Sequence, residues 1–202
     1  MDRLLIVRHG ESEWNAVRRL QGHADINLSA RGREQALALR ATVQALSPDF
    51  VATSDLQRAR DTAGLLGFGS AEPVVRLREH DVGHWTGRAI PDLQAECGDD
   101  YANWRAGAFT PPGGESWAEF RDRTKCAVSD LASKVSGTLL VVAHGGVVRA
   151  LLEGFLDIAP HRIIPVGTAS LTVLRCRGRS LTSMRLELFN YNPAGPVFDA
   201  PD

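Results

Sequence analysis

The sequence predicts an α/β fold in which a central sheet carries helices on both of its faces. Short apolar segments of strand length alternate along the chain with segments of helical period, an order typical of this fold class. Residues 3–7 and 138–143 are apolar without alternation, which indicates strands buried on both faces. The chain has 202 residues, a length that favours a single domain over residues 1–202.

The first half of the chain contains the patterns of three strands and two helices. The strands are predicted at residues 3–7, 49–53 and 74–77. The helices are predicted at residues 28–45 and 56–66. Ser29 is a suitable N-cap for the first helix, and Ser54 or Asp55 for the second, because short polar side chains accept hydrogen bonds from the first helical N–H groups. Leu39 and Val43 belong to the apolar stripe of the first helix.

The second half has the same alternation and ends in an antiparallel pair of strands. Its helices are predicted at residues 115–135 and 147–155, and its strands at residues 138–143, 170–175 and 184–188. The last two strands are joined at Gly178-Arg179. Residues 83–114 are rich in Trp, Gly, Pro and acidic side chains, which indicates short helices and a long functional loop. Residues 192–202 contain three prolines and are expected to form a loosely held tail.

The composition argues against several classes of protein. The chain carries 23 basic and 24 acidic residues, so its net charge of −1 gives no overall attraction for nucleic acid or acidic lipid. The longest apolar runs, 4–7 and 139–143, are too short to span a bilayer, and the first residues lack the apolar core of a signal peptide. Three cysteines without a Cys-x-x-Cys pair fit reduced thiols. We therefore expect a cytoplasmic protein with no nucleic-acid or membrane partner.

Two predicted strands end in the same way, with a histidine followed by glycine. The first strand runs into His9-Gly10, and the strand at 138–143 runs into His144-Gly145. In open α/β sheets ligands bind at the carboxyl ends of the strands, and glycine there lets the backbone approach a ligand closely. A single histidine in this position most often makes a structural hydrogen bond. Two with the same local pattern favour a shared site.

Two arginines indicate the kind of ligand. Arg8 precedes His9, and its guanidinium would repel a divalent metal while favouring the neutral, nucleophilic form of the imidazole. Arg58 is predicted in the first turn of a helix, where the helix dipole disfavours a cation unless an anion is close by. These positions predict a phosphate-like anion as ligand, a histidine nucleophile, and no bound metal.

The chain also resembles a known family. Residues 5–15, with the sequence LIVRHGESEWN, are similar to the signature of the histidine phosphatase superfamily, in its phosphoglycerate-mutase-like branch. Further matching blocks follow in order over most of the chain. They include Gln21-Gly22, Leu28-Ser29, Ser54-Asp55-Leu56, Arg58-Ala59, Leu77-Arg78-Glu79, Gly83-His84-Trp85-Thr86-Gly87, Pro112-Gly113-Gly114-Glu115-Ser116 and Val142-Ala143-His144-Gly145-Gly146. The resemblance implies a three-layer α/β/α sandwich around a mostly parallel sheet.

The resemblance also implies a role for each matching residue. His9 would attack phosphorus and become phosphohistidine, and Glu79 would protonate the leaving oxygen and then activate water. Arg8, Arg58 and His144 would surround the phosphoryl oxygens. Substrate-binding roles would fall to Asn15, Gln21, Gly22 and Gly145. Asp81 is a second candidate for the acid, ranked behind Glu79 because the resemblance aligns Glu79. No cofactor and no metal are implied.

Three functions are compared on these residues. A metal-independent phosphomonoesterase acting on a small phosphorylated metabolite is the first. A cofactor-dependent phosphoglycerate mutase is the alternative, but in mutases an arginine follows the acid and an Arg-Arg pair lies further along. Here His80 follows Glu79, and Arg105 alone follows Trp104. A non-catalytic phosphate-binding module is disfavoured, since nucleophile, cationic groups and acid are all present. Family members are often dimers, so a homodimer is a further expectation.

Overall fold

A computed structural model describes residues 1–177 and 180–196. Within these residues six strands form one sheet of order β3-β2-β4-β1-β5-β6. The strands are β1 (Arg3–Arg8), β2 (Phe50–Ser54), β3 (Glu72–Val74), β4 (Thr138–Ala143), β5 (Leu171–Arg177) and β6 (Ser180–Tyr191). The first four are parallel to one another, and β5 and β6 run antiparallel to their neighbours. The predicted α/β class and the mostly parallel sheet are confirmed.

Helices cover both faces of the sheet. In the described chain they are α1 (Glu13–Ala16), α2 (Ala30–Ala45), α3 (Gln57–Leu65), α4 (Ile90–Glu96), α5 (Gly98–Arg105), α6 (Trp117–Ser133) and α7 (Gly145–Leu156). Successive side chains of a strand point to opposite faces. Leu4 and Ile6 of β1 therefore pack with α6 and α7, whereas Leu5 and Val7 pack with α2 and α3. This arrangement is the expected three-layer sandwich.

Two helices begin at side chains that cap them. Ser29 Oγ accepts a hydrogen bond from Gly32 N at 3.0 Å and starts α2, as its position in the sequence predicts. Ser116 starts α6 through a capping box with Glu119, in which each side chain accepts from the other residue's backbone N–H. The positions at which α2 and α6 begin are therefore fixed by local side-chain hydrogen bonds.

The segment of residues 83–114 forms a small layer of its own. It contains α4 and α5, so the predicted short helices are present. Its apolar side chains, among them Trp85, Leu93 and Trp104, form a third buried cluster separate from those on the two sheet faces. The two ends of the segment lie together, since a Cβ placed on Gly83 would collide with the backbone of Gly114.

Two local predictions are wrong. The strand expected at 74–77 is instead the short β3, followed by a 3₁₀ helix over Val75–Leu77. β3 pairs only with β2, and Pro73, which has no N–H to donate, is tolerated on such an edge strand. Neither Ser54 nor Asp55 caps α3; its N-cap is Leu56, and the N–H of Gln57 donates to the carboxylate of Asp25 at 2.7 Å.

Two further expectations concern residues outside the described ranges. The predicted turn at Gly178-Arg179 and residues 197–202 of the predicted tail both lie there. Among the described residues, no helix combines the length and the apolar character that a membrane span requires.

Candidate active site

A cavity opens at the carboxyl ends of β1 and β4. These strands are neighbours in parallel register, with Arg8 opposite Ala143, so the residues that follow them are brought side by side. The rings of His9 and His144 meet edge to face, with centroids 5.2 Å apart. The cavity is lined by Arg8, His9, Leu20, Gln21, Gly22, Arg58, Glu79, His80, Val82, Trp104, Trp117, Gly145, Gly146 and Arg149. The two His-Gly sequences therefore lie together, and His9 and Gly145 line the cavity.

His9 is held as a neutral imidazole with a defined tautomer. Its Nδ1 lies 2.6 Å from the backbone oxygen of Gly10, and because a carbonyl oxygen can only accept, Nδ1 carries the proton. The lone pair is therefore on Nε2. The ring is buried, and burial, followed by the charges of Arg58 and Arg8, lowers the pKa of His9 well below its ordinary value. His9 thus has the form that a nucleophile needs at neutral pH.

Two buried guanidiniums flank these imidazoles. Burial lowers the pKa of Arg8 and of Arg58 to about 10, so both remain cationic at neutral pH. Arg58 is fixed by two backbone oxygens: Nη1 donates to Ala24 at 2.7 Å and Nη2 donates to Gly22 at 3.0 Å. Arg58 lies in the first turn of α3, where a buried cation is costly without an anion, and together with Arg8 it suits a phosphoryl group.

His144 is buried at the N-terminus of α7. Neither of its ring nitrogens has a hydrogen-bond partner among the described residues. Burial, then the charges of Arg58 and neighbouring groups, lowers the pKa of His144 well below its ordinary value. A buried polar group without a partner costs about 1–3 kcal/mol, and a bound anion beside the helix N-terminus would supply that partner.

Glu79 is positioned at the same helix terminus. Its Oε2 accepts a hydrogen bond from Gly146 N at 3.0 Å, and its Oε1 accepts from His80 N at 2.9 Å. A Cβ on Gly146 would displace this carboxylate, so glycine permits the position that the carboxylate has here. Glu79 therefore lines the same cavity as His9. The segment that precedes Glu79 is a 3₁₀ helix and not the predicted strand.

The chain that carries Glu79 is fastened to α6. Arg123 of α6 donates from Nη1 to the backbone oxygens of Arg76 and Arg78, each at 2.9 Å, and from Nη2 to that of Glu79 at 2.8 Å. The guanidinium is itself held by Glu115, whose Oε2 accepts from Nε at 2.8 Å. The guanidinium of Arg123 therefore holds three backbone carbonyl groups at or just before Glu79, and the position of Glu79 depends on α6.

Not every candidate of the sequence analysis reaches the cavity wall. Asp81 lies outside it: its Oδ1 accepts from Gly83 N at 3.0 Å, and His23 lies 3.7 Å from its other oxygen. Asn15 is buried one step behind the wall, where its Oδ1 accepts from Ser12 N at 3.1 Å. Gln21, Gly22 and Gly145 line the cavity. His144 reaches the site through its contact with the ring of His9.

The cavity also includes side chains that the sequence analysis did not select. Arg149 is buried on α7, and the signal that could have revealed it is a lone cation within the apolar segment 147–152. The rings of Trp104, Trp117 and His80 pack together as an aromatic wall, which only the tertiary structure could reveal. These four residues therefore add to the cavity-lining side chains that the sequence analysis selected.

His80 takes a structural part in this wall. His80 and His84 are four residues apart, the spacing of a metal-ligand pair on a helix. Both ring nitrogens of His80 are occupied, however, because Nε2 donates to the backbone oxygen of Glu115 at 2.9 Å and Nδ1 accepts from Trp104 Nε1 at 3.1 Å. Within the described ranges, no group of three or more His, Cys, Asp or Glu side chains is arranged to hold a metal ion.

Comparison with known proteins places this geometry in a family. The sequence model of the histidine phosphatase superfamily, branch 1, matches residues 4–188. The chain belongs to the histidine phosphatase superfamily. This match and the fold confirm the predicted family and architecture.

The most similar relatives include phosphatases and mutases. A glucosyl-3-phosphoglycerate phosphatase of Mycolicibacterium vanbaalenii is 38% identical over 168 residues, covering 77% of this chain and 75% of the relative. A probable phosphoglycerate mutase of Salmonella choleraesuis is 33% identical over 168 residues, covering 78% and 76%. The solved structure of a mycobacterial glucosyl-3-phosphoglycerate phosphatase in complex with VO3 superimposes with a TM-score of 0.86 at 31% identity, covering 94% of this chain and 99% of that one. The prediction of a phosphatase in this superfamily is confirmed.

Proposed function

We propose that this chain hydrolyses a phosphomonoester through a phosphohistidine at His9 and without a metal ion. The observation that carries the proposal is the arrangement of a neutral His9, with its lone pair on Nε2, between the guanidiniums of Arg8 and Arg58. A phosphoryl group in transfer carries charge on its three equatorial oxygens, and fixed cations stabilise that charge. The same groups leave the imidazole unprotonated, as a nucleophile must be.

The reaction consists of two displacements at phosphorus. In the first, Nε2 of His9 forms a bond to phosphorus, the ester P–O bond breaks, and Glu79 in its acid form gives a proton to the leaving oxygen. In the second, the carboxylate of Glu79 takes a proton from water, and the oxygen of that water replaces Nε2 on phosphorus. Inorganic phosphate and the free imidazole of His9 are the products of this step, and Glu79 is returned to its acid form.

The first substrate to test is glucosyl-3-phosphoglycerate. Two relatives that carry this phosphatase name, from Mycolicibacterium vanbaalenii and Mycobacterium tuberculosis, are 38% and 33% identical to the chain. The second of these alignments covers 96% of both proteins. The aromatic wall of Trp104 and Trp117 gives the cavity an apolar surface beside the cationic one, which suits an organic leaving group.

Dialysis against EDTA is expected to leave phosphate release unchanged. Arg8, Arg58 and His144 supply the charge and the hydrogen bonds that a metal would otherwise give to the phosphoryl oxygens. The measurement is phosphate release from a panel of phosphorylated metabolites, with and without the chelator. Loss of activity that Zn²⁺ or Mg²⁺ restores would contradict the proposal, and an active site that releases no phosphate from any ester would favour a binding module.

A mutase activity is the second candidate, because relatives named as probable phosphoglycerate mutases cover most of the chain. A mutase must protect its phosphohistidine from water until the phosphoryl group returns to the bound intermediate. Supplied with 3-phosphoglycerate and 2,3-bisphosphoglycerate, the enzyme is expected to release phosphate faster than it forms 2-phosphoglycerate. Mutase turnover at least tenfold above phosphate release, about 1.4 kcal/mol in barrier, would overturn this expectation.

A further inference from the structure

We propose that Glu115 and Arg123 are positioning residues for proton transfer, because together they fix the backbone on both sides of Glu79 and so direct its carboxylate to the leaving oxygen. The inference rests on the proposed phosphatase function and adds two residues on which its acid depends. Neither of them is among the residues that line the cavity. Glu115 belongs to the matching block at residues 112–116, which therefore acts on the reaction from outside the cavity.

All five N–H donors of the Arg123 guanidinium are used. Nη1 donates to the backbone oxygens of Arg76 and Arg78, and Nη2 donates to that of Glu79. The two remaining bonds go to the carboxylate of Glu115, which accepts from Nε at 2.8 Å and also from Nη2. A planar guanidinium holds its donors in a rigid fork, so five satisfied bonds leave this group a single position. The three carbonyl oxygens that it binds are therefore fixed relative to α6.

Glu115 holds the chain on the other side of Glu79. Its Oε1 accepts from Asp81 N at 2.9 Å, and its backbone N–H donates to Asp81 O at 3.1 Å. Its backbone oxygen accepts from Nε2 of His80 at 2.9 Å. The backbone is thus bonded before, at and after Glu79, and all of these bonds end on Glu115 or Arg123.

The Glu115–Arg123 pair is suited to hold this geometry. The side chain of Glu115 is 17% exposed and that of Arg123 is 21% exposed, so both charges are largely shielded from water. The pair is bidentate, which fixes its orientation as well as its distance. One of the two donors to the Glu79 carboxylate, His80 N, lies within the stretch of backbone that the pair holds. The pair therefore acts on the carboxylate as well as on the chain that carries it.

The groups proposed to bind the phosphoryl oxygens are held by other contacts. Arg8 donates to the backbone oxygen of Val166, and Arg58 donates to those of Gly22 and Ala24. None of these contacts involves the Glu115–Arg123 pair. Loss of the pair should therefore weaken proton donation while attack at phosphorus continues, and esters whose leaving group needs a proton should be affected most.

The test measures kcat/KM of Arg123→Gln for an alkyl ester, 3-phosphoglycerate, and an aryl ester, para-nitrophenyl phosphate. We expect a loss of about 10- to 10²-fold for the alkyl ester and of less than about threefold for the aryl ester, because a small displacement of the acid matters only where the leaving group needs its proton. In the double variant Glu79→Gln/Arg123→Gln, the selective loss should equal that of Glu79→Gln alone, since a positioning residue has no effect once its acid is gone.

Asp130→Asn is the matched control. Asp130 lies on α6 and pairs with the side chain of Arg76 at 2.7 Å, so it also connects this helix to the segment before Glu79. The variant leaves the carbonyl oxygens bound by Arg123 untouched. It should keep the wild-type ratio of kcat/KM between the two esters.

Each outcome bears on a different statement. Equal losses on both esters in Arg123→Gln, or a double variant whose selective loss is the product of the two single losses, would overturn the positioning role and leave the phosphatase intact. Failure of the wild-type enzyme on every phosphomonoester would instead overturn the proposed function. Should Arg123→Gln not fold, Glu115→Gln decides in the same assay, since it keeps the size of the side chain and one acceptor oxygen. A selective loss on the alkyl ester is then expected, and the wild-type ratio would reject the proposal.

Discussion

Replacing His9 by alanine is expected to abolish phosphate release, lowering turnover of an aryl phosphate by about 10⁴-fold or more. In the proposed mechanism the variant removes Nε2 of His9, which is the atom that bonds to phosphorus. The measurement is phosphate release under saturating substrate, with circular dichroism to show that the fold is kept. Rapid acid quenching of the wild-type enzyme should not preserve the phosphoenzyme, since phosphohistidine is acid-labile, whereas alkaline quenching should.

The control for this experiment is His161→Ala, which removes an exposed histidine that is not among the cavity-lining residues. It should retain wild-type turnover and the trapped phosphoenzyme. Turnover of His9→Ala within an order of magnitude of the wild type would show that His9 is not the nucleophile. A phosphoenzyme that forms equally in His9→Ala would lead to the same conclusion.

Replacing Glu79 by glutamine is expected to harm alkyl phosphates far more than aryl phosphates. An alkoxide leaves only with a proton from the acid, whereas a phenolate leaves with little help, so kcat/KM should fall by about 10²- to 10⁴-fold for alkyl esters alone. The ratio kcat/KM is the quantity to measure because it reports the first displacement, in which Glu79 acts as the acid. The glutamine oxygen can still accept the hydrogen bond from Gly146 N.

Asp81→Asn is the matched control. Asp81 lies two residues beyond Glu79 but outside the cavity wall, so its variant should keep the discrimination between alkyl and aryl esters. Equal losses on both ester types in Glu79→Gln would show that Glu79 is not the acid. A selective loss in Asp81→Asn would transfer the role to that residue.

The juxtaposition of His9 and His144 could be predicted from the sequence because each follows a buried strand directly. The strand at 138–143 is found with the predicted bounds, since an apolar run ends at a polar His-Gly pair. Arg8 is the last residue of the other buried strand, and His9 follows it directly. Once two parallel strands are expected, the meeting of their carboxyl ends needs no further information.

The rest depends on contacts between distant parts of the chain. Asp25 supplies the carboxylate that accepts from the first turn of α3, although the sequence predicts Ser54 or Asp55 as the cap. Asp55 instead pairs with Arg78 at 2.6 Å. Short-range patterns cannot choose between such partners. Arg149 is a lone cation in an apolar helix, and only the folded structure shows that it lines the cavity. The 3₁₀ helix before Glu79 was missed because β-branched residues suit a strand equally well.

The two ends of segment 83–114 lie close together, and this has a consequence for how the substrate preference of the enzyme could be altered. Glu115 and Asp81 are bonded across the junction, with Glu115 N donating to Asp81 O at 3.1 Å, so the segment leaves and rejoins the sheet domain at one point. A segment anchored in this way can be replaced by one of a different length, because the entropic cost of closing a loop between fixed ends rises only slowly with loop length. It contributes Trp104 to the cavity wall, whereas Arg8, His9 and Arg58, which are proposed to bind the phosphoryl group, belong to other parts of the chain. Chimaeras that graft this segment from a relative would therefore alter leaving-group choice while inheriting the same phosphoryl chemistry.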